Sequence, residues 1–254
     1  MIITITNQKG GVAKSTTSQN LGAGLANRGY KVLLIDLDAQ ANLTLSCGVK
    51  EPAKTVYSIL KDKTLTADAI TPIKENLSLI PASLALSTAD LELNGVGKEY
   101  KLAEALESIK GDYDYIIIDT PPALSILTVN ALTVADKVII PAQADLFSLE
   151  AIKQLYNTIE TIKRYTNKDL TIAGILLARY NNRNILTQEL TEVLNSTADY
   201  LKTKVFKHTI REAVAIKESQ ARKQDIFTYS PESNVAGDYN GFVEEVIKDS
   251  VRGK

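Results

Sequence analysis

Cysteine and histidine are almost absent: among 254 residues there is one of each, Cys47 and His208. A single thiol cannot close an internal disulfide, and a cysteine-only metal or iron–sulfur centre within one chain is excluded. The solitary histidine is too isolated for a catalytic triad or a metal site. No apolar run approaches about 20 residues, so no segment reads as a membrane-spanning helix. Neither sign of charge is in excess: 29 Lys and Arg stand against 30 Asp and Glu, a net of −1. Attraction to nucleic acid or to a membrane must therefore be local. No repeat, low-complexity tract or linker divides the chain, and 44% hydrophobic content suits one large α/β core. A strand candidate opening at Ile2 leaves no room for a leader before it, so a cytoplasmic single-domain chain over residues 1–254 is expected.

What is present is a glycine loop in a telling context. The β-branched run Ile2-Ile3-Thr4-Ile5-Thr6 leads into Asn7-Gln8-Lys9-Gly10-Gly11-Val12-Ala13-Lys14-Ser15-Thr16. A helical pattern with Leu21, Leu25 and Ala26 on one face follows. Strand, loop and helix in that order make a phosphate cradle: backbone N–H groups at Gly10 and Gly11 converge, and the helix N-terminus adds partial positive charge. Lys14 can reach the terminal phosphates and the Ser15 hydroxyl can ligate Mg²⁺. The ordinary phosphate-loop spacing needs glycine at positions 8 and 13, where this chain has Gln8 and Ala13. The stretch resembles instead the deviant Walker A motif, K-G-G-x-G-K-[ST], of the ParA/MinD ATPases. Lys9 is then the signature lysine, which the resemblance sends across a dimer interface to the partner's nucleotide. Ala13 departs even from that motif. If position 13 needs a positive φ, alanine costs about 1–2 kcal/mol there and is expected to weaken ATP binding.

The remaining pattern alternates strands and helices. Lys31–Asp36 and Tyr113–Asp119 read as buried strands, each ending on an aspartate, and Leu77–Pro81, Lys137–Pro141 and Leu170–Leu177 as further strands. Helical patterns cover Leu84–Leu93, Leu102–Ile109, the stretch after Thr120-Pro121-Pro122 through Leu132, Leu149–Tyr165, 185–202 and Val235–Val251. Residues 50–75 are mixed and polar, without a motif. The fold expected is α/β, a doubly wound, mostly parallel sheet flanked by helices on both faces.

Aspartates at strand ends beside a phosphate loop suit Mg²⁺ and a held water. Asp119 fits a Walker B aspartate, acting on the metal through its water shell. Asp36 and Asp38 flank Leu37, and two-residue alternation would point them to the same side if the strand persists. The resemblance assigns Mg²⁺ support to Asp36 and positioning of the attacking water to Asp38.

The resemblance extends over roughly the whole chain. Asn7–Thr17, Val32–Asn42, Tyr113–Pro122 and Ala131–Glu150 look in order like the ParA (Soj-like) partition ATPases. Ile210–Ser219 resembles that family's segment behind the adenine, which implies Ile210, Arg211 and Ala213 beside the base. An N-terminal DNA-reading domain, carried by larger members, is not expected. The resemblance implies ATP/ADP and Mg²⁺ as ligands, an ATP-dependent homodimer, non-specific binding to double-stranded DNA of the nucleoid, and a ParB-type centromere-binding protein that stimulates hydrolysis. A local basic stripe agrees: between 201 and 224, Lys202, Lys204, Lys207, Arg211, Lys217, Arg222 and Lys223 oppose only Glu212 and Glu218. Such a stripe with no base-reading motif suits phosphate contact, with Arg211, Lys217, Arg222 and Lys223 the residues chosen for it. The alternative is a membrane-associated positioning ATPase like MinD, which uses a basic, apolar C-terminal helix. Here Glu244, Glu245 and Asp249 offset Lys248, Arg252 and Lys254, so no membrane binding is expected, and Phe242, Val243, Val246, Ile247 and Val251 should pack on the body. A weakly hydrolysing, nucleotide-dependent regulator is left open by Ala13.

Overall fold

The near-continuous apolar strands of the sequence lie side by side in the middle of one sheet. The computed structural model describes residues 1–62, 65–181 and 185–252. β1 (Ile2–Ile5) leads through the glycine loop into α1 (Lys14–Ala26), and β2 (Val32–Asp36) into the short α2 (Asn42–Ser46). Then come α3 (Val56–Asp62), β3 (Thr71–Lys74), β4 (Leu77–Ile80), and the short helices α4 (Ala89–Glu92) and α5 (Lys101–Leu106). β5 (Tyr115–Asp119), α6 (Ile126–Val134), β6 (Lys137–Ala142), α7 (Leu146–Tyr165), β7 (Thr171–Tyr180) and α8 (Ile185–Tyr200) follow. β8 (Ile210–Arg211), α9 (Val214–Ala221), α10 (Ile226–Tyr229) and α11 (Asn234–Arg252) bring the chain back against α1.

The sheet order among the described residues is β3-β4-β2-β5-β1-β6-β7-β8, parallel throughout except for β3, which runs antiparallel to β4 at the edge. Side-chain alternation sends each central strand into two cores. Leu33 and Ile35 of β2, Ile116 and Ile118 of β5, and Val138 and Ile140 of β6 meet the apolar faces of α5 to α8. Val32 and Leu34, Ile117, and Ile139 meet Leu21 and Leu25 of α1 and Tyr239, Phe242, Val243 and Val246 of α11. The doubly wound sheet covered on both faces is therefore present. α1 lies so close to β2 that a Cβ at Gly22 would stand 2.6 Å from Leu34 Cδ2. Register then fixes the site: Ile5 and Asp36 are both opposite Asp119.

Several boundaries differ from the sequence reading. β3 was hidden in the polar 50–75 stretch because Pro72 breaks a strand pattern, and an edge strand tolerates it. The Leu84–Leu93 helix splits into a 3₁₀ turn, Leu84–Thr88, and α4. α7 starts earlier than Leu149 because Asp145 caps it, its side chain accepting the Ser148 N–H at 2.8 Å. On α11, Phe242, Val243 and Val246 are buried as expected, whereas Val251 is 71% exposed. Lys254 lies outside the described residues, and no described helix is long and apolar enough to cross a membrane.

Candidate functional site

The C-terminal ends of β1, β2 and β5 open onto a cavity of about 750 Å³, lined among others by Gly10, Gly11, Ala13, Lys14, Ser15, Thr16 and Asp38. Ligands of open α/β sheets sit at this end. Gly11 has φ +76° and Ala13 φ +68°, so the loop does require the left-handed conformation at position 13. α1 begins directly afterwards, and its first-turn N–H groups have no helical partners. Val12 is buried beneath the loop and does not line the cavity. Lys14 is buried, with Nζ donating to the Lys9 carbonyl at 3.2 Å. Burial lowers its pKa, opposed by the charges of Asp119 and Asp38.

The carboxylates sit in distinct surroundings. Asp119 is fully buried; its Oδ1 accepts the Ser18 hydroxyl at 3.1 Å, while Oδ2 has no hydrogen-bond partner. Its pKa is pushed up, first by burial and then by the charge of Asp36, against the pull of Ser15, Lys14 and Ser18. Asp36 is raised as well, chiefly by burial. β2 ends at Asp36, so two-residue alternation does not set the direction of Asp38. Asp36 turns into the protein: Oδ1 accepts the Asp38 N–H at 3.0 Å, and Oδ2 accepts the Thr44 N–H at 2.9 Å and the Thr44 hydroxyl at 2.7 Å. Asp38 faces the cavity, with Oδ1 accepting the Gln40 N–H at 2.9 Å. Thr44 was not visible as a site residue in the sequence.

Among the described residues no group of three or more His, Cys, Asp or Glu side chains is arranged to hold a metal alone. The oxygens present nevertheless fit Mg²⁺, which keeps waters and binds through one or two protein groups plus phosphates. A buried, unpartnered carboxylate oxygen on Asp119, beside the Ser15 hydroxyl, is the donor such an ion takes. A cation there would also relieve the repulsion between Asp36 and Asp119.

Lys9 does not point into the cavity. Its Nζ donates to Asp145 Oδ2 at 2.5 Å and to Ser148 Oγ at 3.4 Å. Burial would raise the Asp145 carboxyl, yet the Lys9 ammonium and the Ser148 N–H together hold it below the usual carboxylate range. Next to this pair, Leu146 and Phe147 are 69% and 79% exposed. Asp145 and Ser148 were missed in the sequence, although Asp-x-x-Ser after a strand is a helix-start signal.

A second cleft of about 250 Å³ adjoins the first, sharing Gly11, Ala13, Thr16 and Gln220. Ile210, Arg211 and Ala213 line it, together with Arg179, Ile216 and Tyr239. The basic stripe is partly neutralised by α11. Arg211 makes a two-pronged pair with Asp238, Nε to Oδ2 at 2.6 Å and Nη2 to Oδ1 at 2.8 Å. Lys204 pairs with Asp249 at 2.5 Å and with Glu245 at 3.4 Å. Lys217 and Arg222 stay exposed, Lys217 being 4.0 Å from Glu212, and Lys223 stands at the mouth of the larger cavity.

Comparison with known proteins places this geometry. Residues 1–172 match a family model described as an AAA domain. The Sporulation initiation inhibitor protein Soj of Bacillus subtilis is 43% identical over 252 residues, covering 96% of this chain and 97% of the relative. The chain belongs to the Soj/ParA family of partition ATPases. Residues 92–253 also match the model of the 4Fe-4S iron sulfur cluster binding proteins, NifH/frxC family. That segment of this family member contains no cysteine, so the match reflects shared architecture and not a cluster. A putative plasmid partition protein of Borrelia burgdorferi bound to AMPPNP superposes with a TM-score of 0.83 at 29% identity, covering 97% of this chain and 98% of that one. Cobyrinic acid a,c-diamide synthase of Mycobacterium smegmatis, with bound ATP analogue and magnesium, gives a TM-score of 0.86 at 31% identity, covering 100% and 96%. The expected family and fold therefore stand.

Proposed function

We propose that this Soj/ParA member uses Mg²⁺-ATP to control its own association and its grip on DNA, as the motor of a DNA segregation system. The observation that carries the reading is the buried Lys14 and Asp119 beneath a left-handed glycine loop, with the exposed cations Lys217, Arg222 and Lys223 on and just after α9, Lys217 and Lys223 at the rims of the two clefts. The loop N–H groups and Lys14 would hold the phosphates, and Ile210, Arg211 and Ala213 would flank the base. Ser15 and Asp119 would hold Mg²⁺, which neutralises phosphate charge when bound. Asp36 would shape the loop through Thr44 and support the metal only at a distance, and Asp38, facing the cavity, would orient the attacking water.

Association of two copies follows from Lys9. Leaving Asp145, it would reach the nucleotide of a second chain, and Leu146 and Phe147 beside it would lose their exposure. Lys217, Arg222 and Lys223 would then meet duplex phosphates without reading sequence. Arg211, occupied by Asp238, would contribute little. In its ATP-bound form the protein would sit on the nucleoid, and a ParB-type centromere-binding protein would stimulate hydrolysis and so release it from the DNA.

Co-sedimentation with plasmid DNA and, separately, with anionic liposomes tests this reading in the presence of ATP. ATP-dependent recovery with DNA alone is expected, weakened by Lys217→Ala with Arg222→Ala and with a shallower salt dependence. Asp38→Ala should bind ATP yet release little phosphate. Recovery with liposomes instead would favour a membrane-positioning ATPase.

A further inference from the structure

Thr16 and Gln220 line both cavities at the point where these meet. Gln220 Nε2 donates to Thr16 Oγ1 at 2.9 Å. One turn along α1, Asn20 donates to the Thr16 carbonyl at 2.8 Å, and its Oδ1 accepts the Ile226 N–H at 2.8 Å. Residues four apart lie on the same helix face, so the face of α1 that leaves the phosphate loop pins residues 220–226 at both ends. Exposed Arg222 and Lys223 lie between the two pins. Within α9 Ser219 is the one buried residue and Val214 is 67% exposed, while Ala215 and Ile216 pack partly on the core and Glu218 accepts the Tyr229 hydroxyl at 3.0 Å.

A threonine hydroxyl has one hydrogen to give and lone pairs to accept with. When Gln220 supplies the accepted bond, the Thr16 hydrogen is left for an acceptor in the cleft, the polarity that a phosphate oxygen needs. The two bonds then strengthen each other. We propose that Gln220 is a positioning residue that couples phosphate at Thr16 to the setting of Arg222 and Lys223, and so makes DNA binding depend on nucleotide. The inference rests on the ATP and DNA reading above and adds the route between the two sites.

Gln220→Met in the full chain keeps length and removes the donor. Affinity for a slowly hydrolysed ATP analogue, by calorimetry, should change by no more than about threefold. The gain in duplex affinity on adding that analogue, by fluorescence anisotropy, should shrink by about tenfold or more. Analogue-induced slowing of hydrogen exchange across residues 214–224 should disappear, a readout that needs no DNA. Gln220→Glu inverts the polarity, takes the Thr16 hydrogen and sets a negative charge near the phosphates, so analogue binding itself should fall. Gln220→Ala carries the same expectation as Gln220→Met if the latter melts early. Retention of the parent's full nucleotide-dependent gain and exchange protection in both Gln220→Met and Gln220→Ala would overturn the proposal. A parent chain that never binds DNA would sink the functional reading alone, with exchange protection still deciding the role of Gln220.

Discussion

Replacing Ala13 with glycine separates strain met on folding from strain met on binding. Ala13 sits at φ +68°, ψ 30°, and its carbonyl accepts the Thr17 N–H at 2.9 Å, so the opening turn of α1 fixes this conformation. An L-residue there costs about 1–2 kcal/mol. Glycine removes that cost but adds about 0.4–1 kcal/mol of conformational entropy to the unfolded chain. The balance is a gain of about 0.5–1 kcal/mol, which for a chain of this size raises the melting temperature by about 1–4 °C. Because the fold itself holds the residue left-handed, the gain belongs to stability. ATP affinity should therefore change by less than about twofold, a smaller effect than the sequence suggested. Thermal melts and calorimetry on the same preparations check both numbers. An ATP affinity tightened about fivefold at an unchanged melting temperature would refute the reasoning, because the strain would then arise on binding.

Other consequences follow from the same geometry. Lys14→Ala removes the buried ammonium at the loop, and calorimetry should show ATP affinity falling by at least about a hundredfold. Asp145→Asn keeps the helix cap but loses the charge that holds Lys9; ATP-driven association, followed by light scattering, should begin at about fivefold lower protein concentration. Unchanged association would mean that the Lys9–Asp145 pair does not limit it. Asp119, whose folded pKa is raised by burial and by Asp36, binds its proton more tightly in the native state. The contribution of Asp119 to stability without nucleotide should thus be fully present below the unfolded carboxyl pKa of about 3.9 and decline as pH rises toward the raised folded value, while carboxylates held low, such as Asp145, lose theirs in acid. Asp119→Asn should flatten that decline in melts taken from acid to mildly alkaline pH.

The chain order of residues was enough to place the phosphate loop, the strands ending on Asp36 and Asp119, and the doubly wound class. Those features are local or periodic: a glycine loop between strand and helix, and apolar runs of strand length. The near-continuous apolar run of β2 also implied a sheet covered on both faces, which Leu33 and Ile35 in one core and Val32 and Leu34 in the other bear out. Pairings between distant segments were not legible, because no local pattern encodes them. Lys9 meets Asp145 across 136 residues and Gln220 meets Thr16 across 204. The stripe at 201–224 read as strongly net basic because its further counter-charges, Asp238, Glu245 and Asp249, come from a helix farther along the chain. The aspartates at β2 illustrate the same divide. Composition and spacing supplied the carboxylates, but the end of the strand at Asp36 and the nearby Thr44 decided which one faces the cavity. Local sequence sets which groups are available; packing of segments far apart in the chain sets what each of them touches.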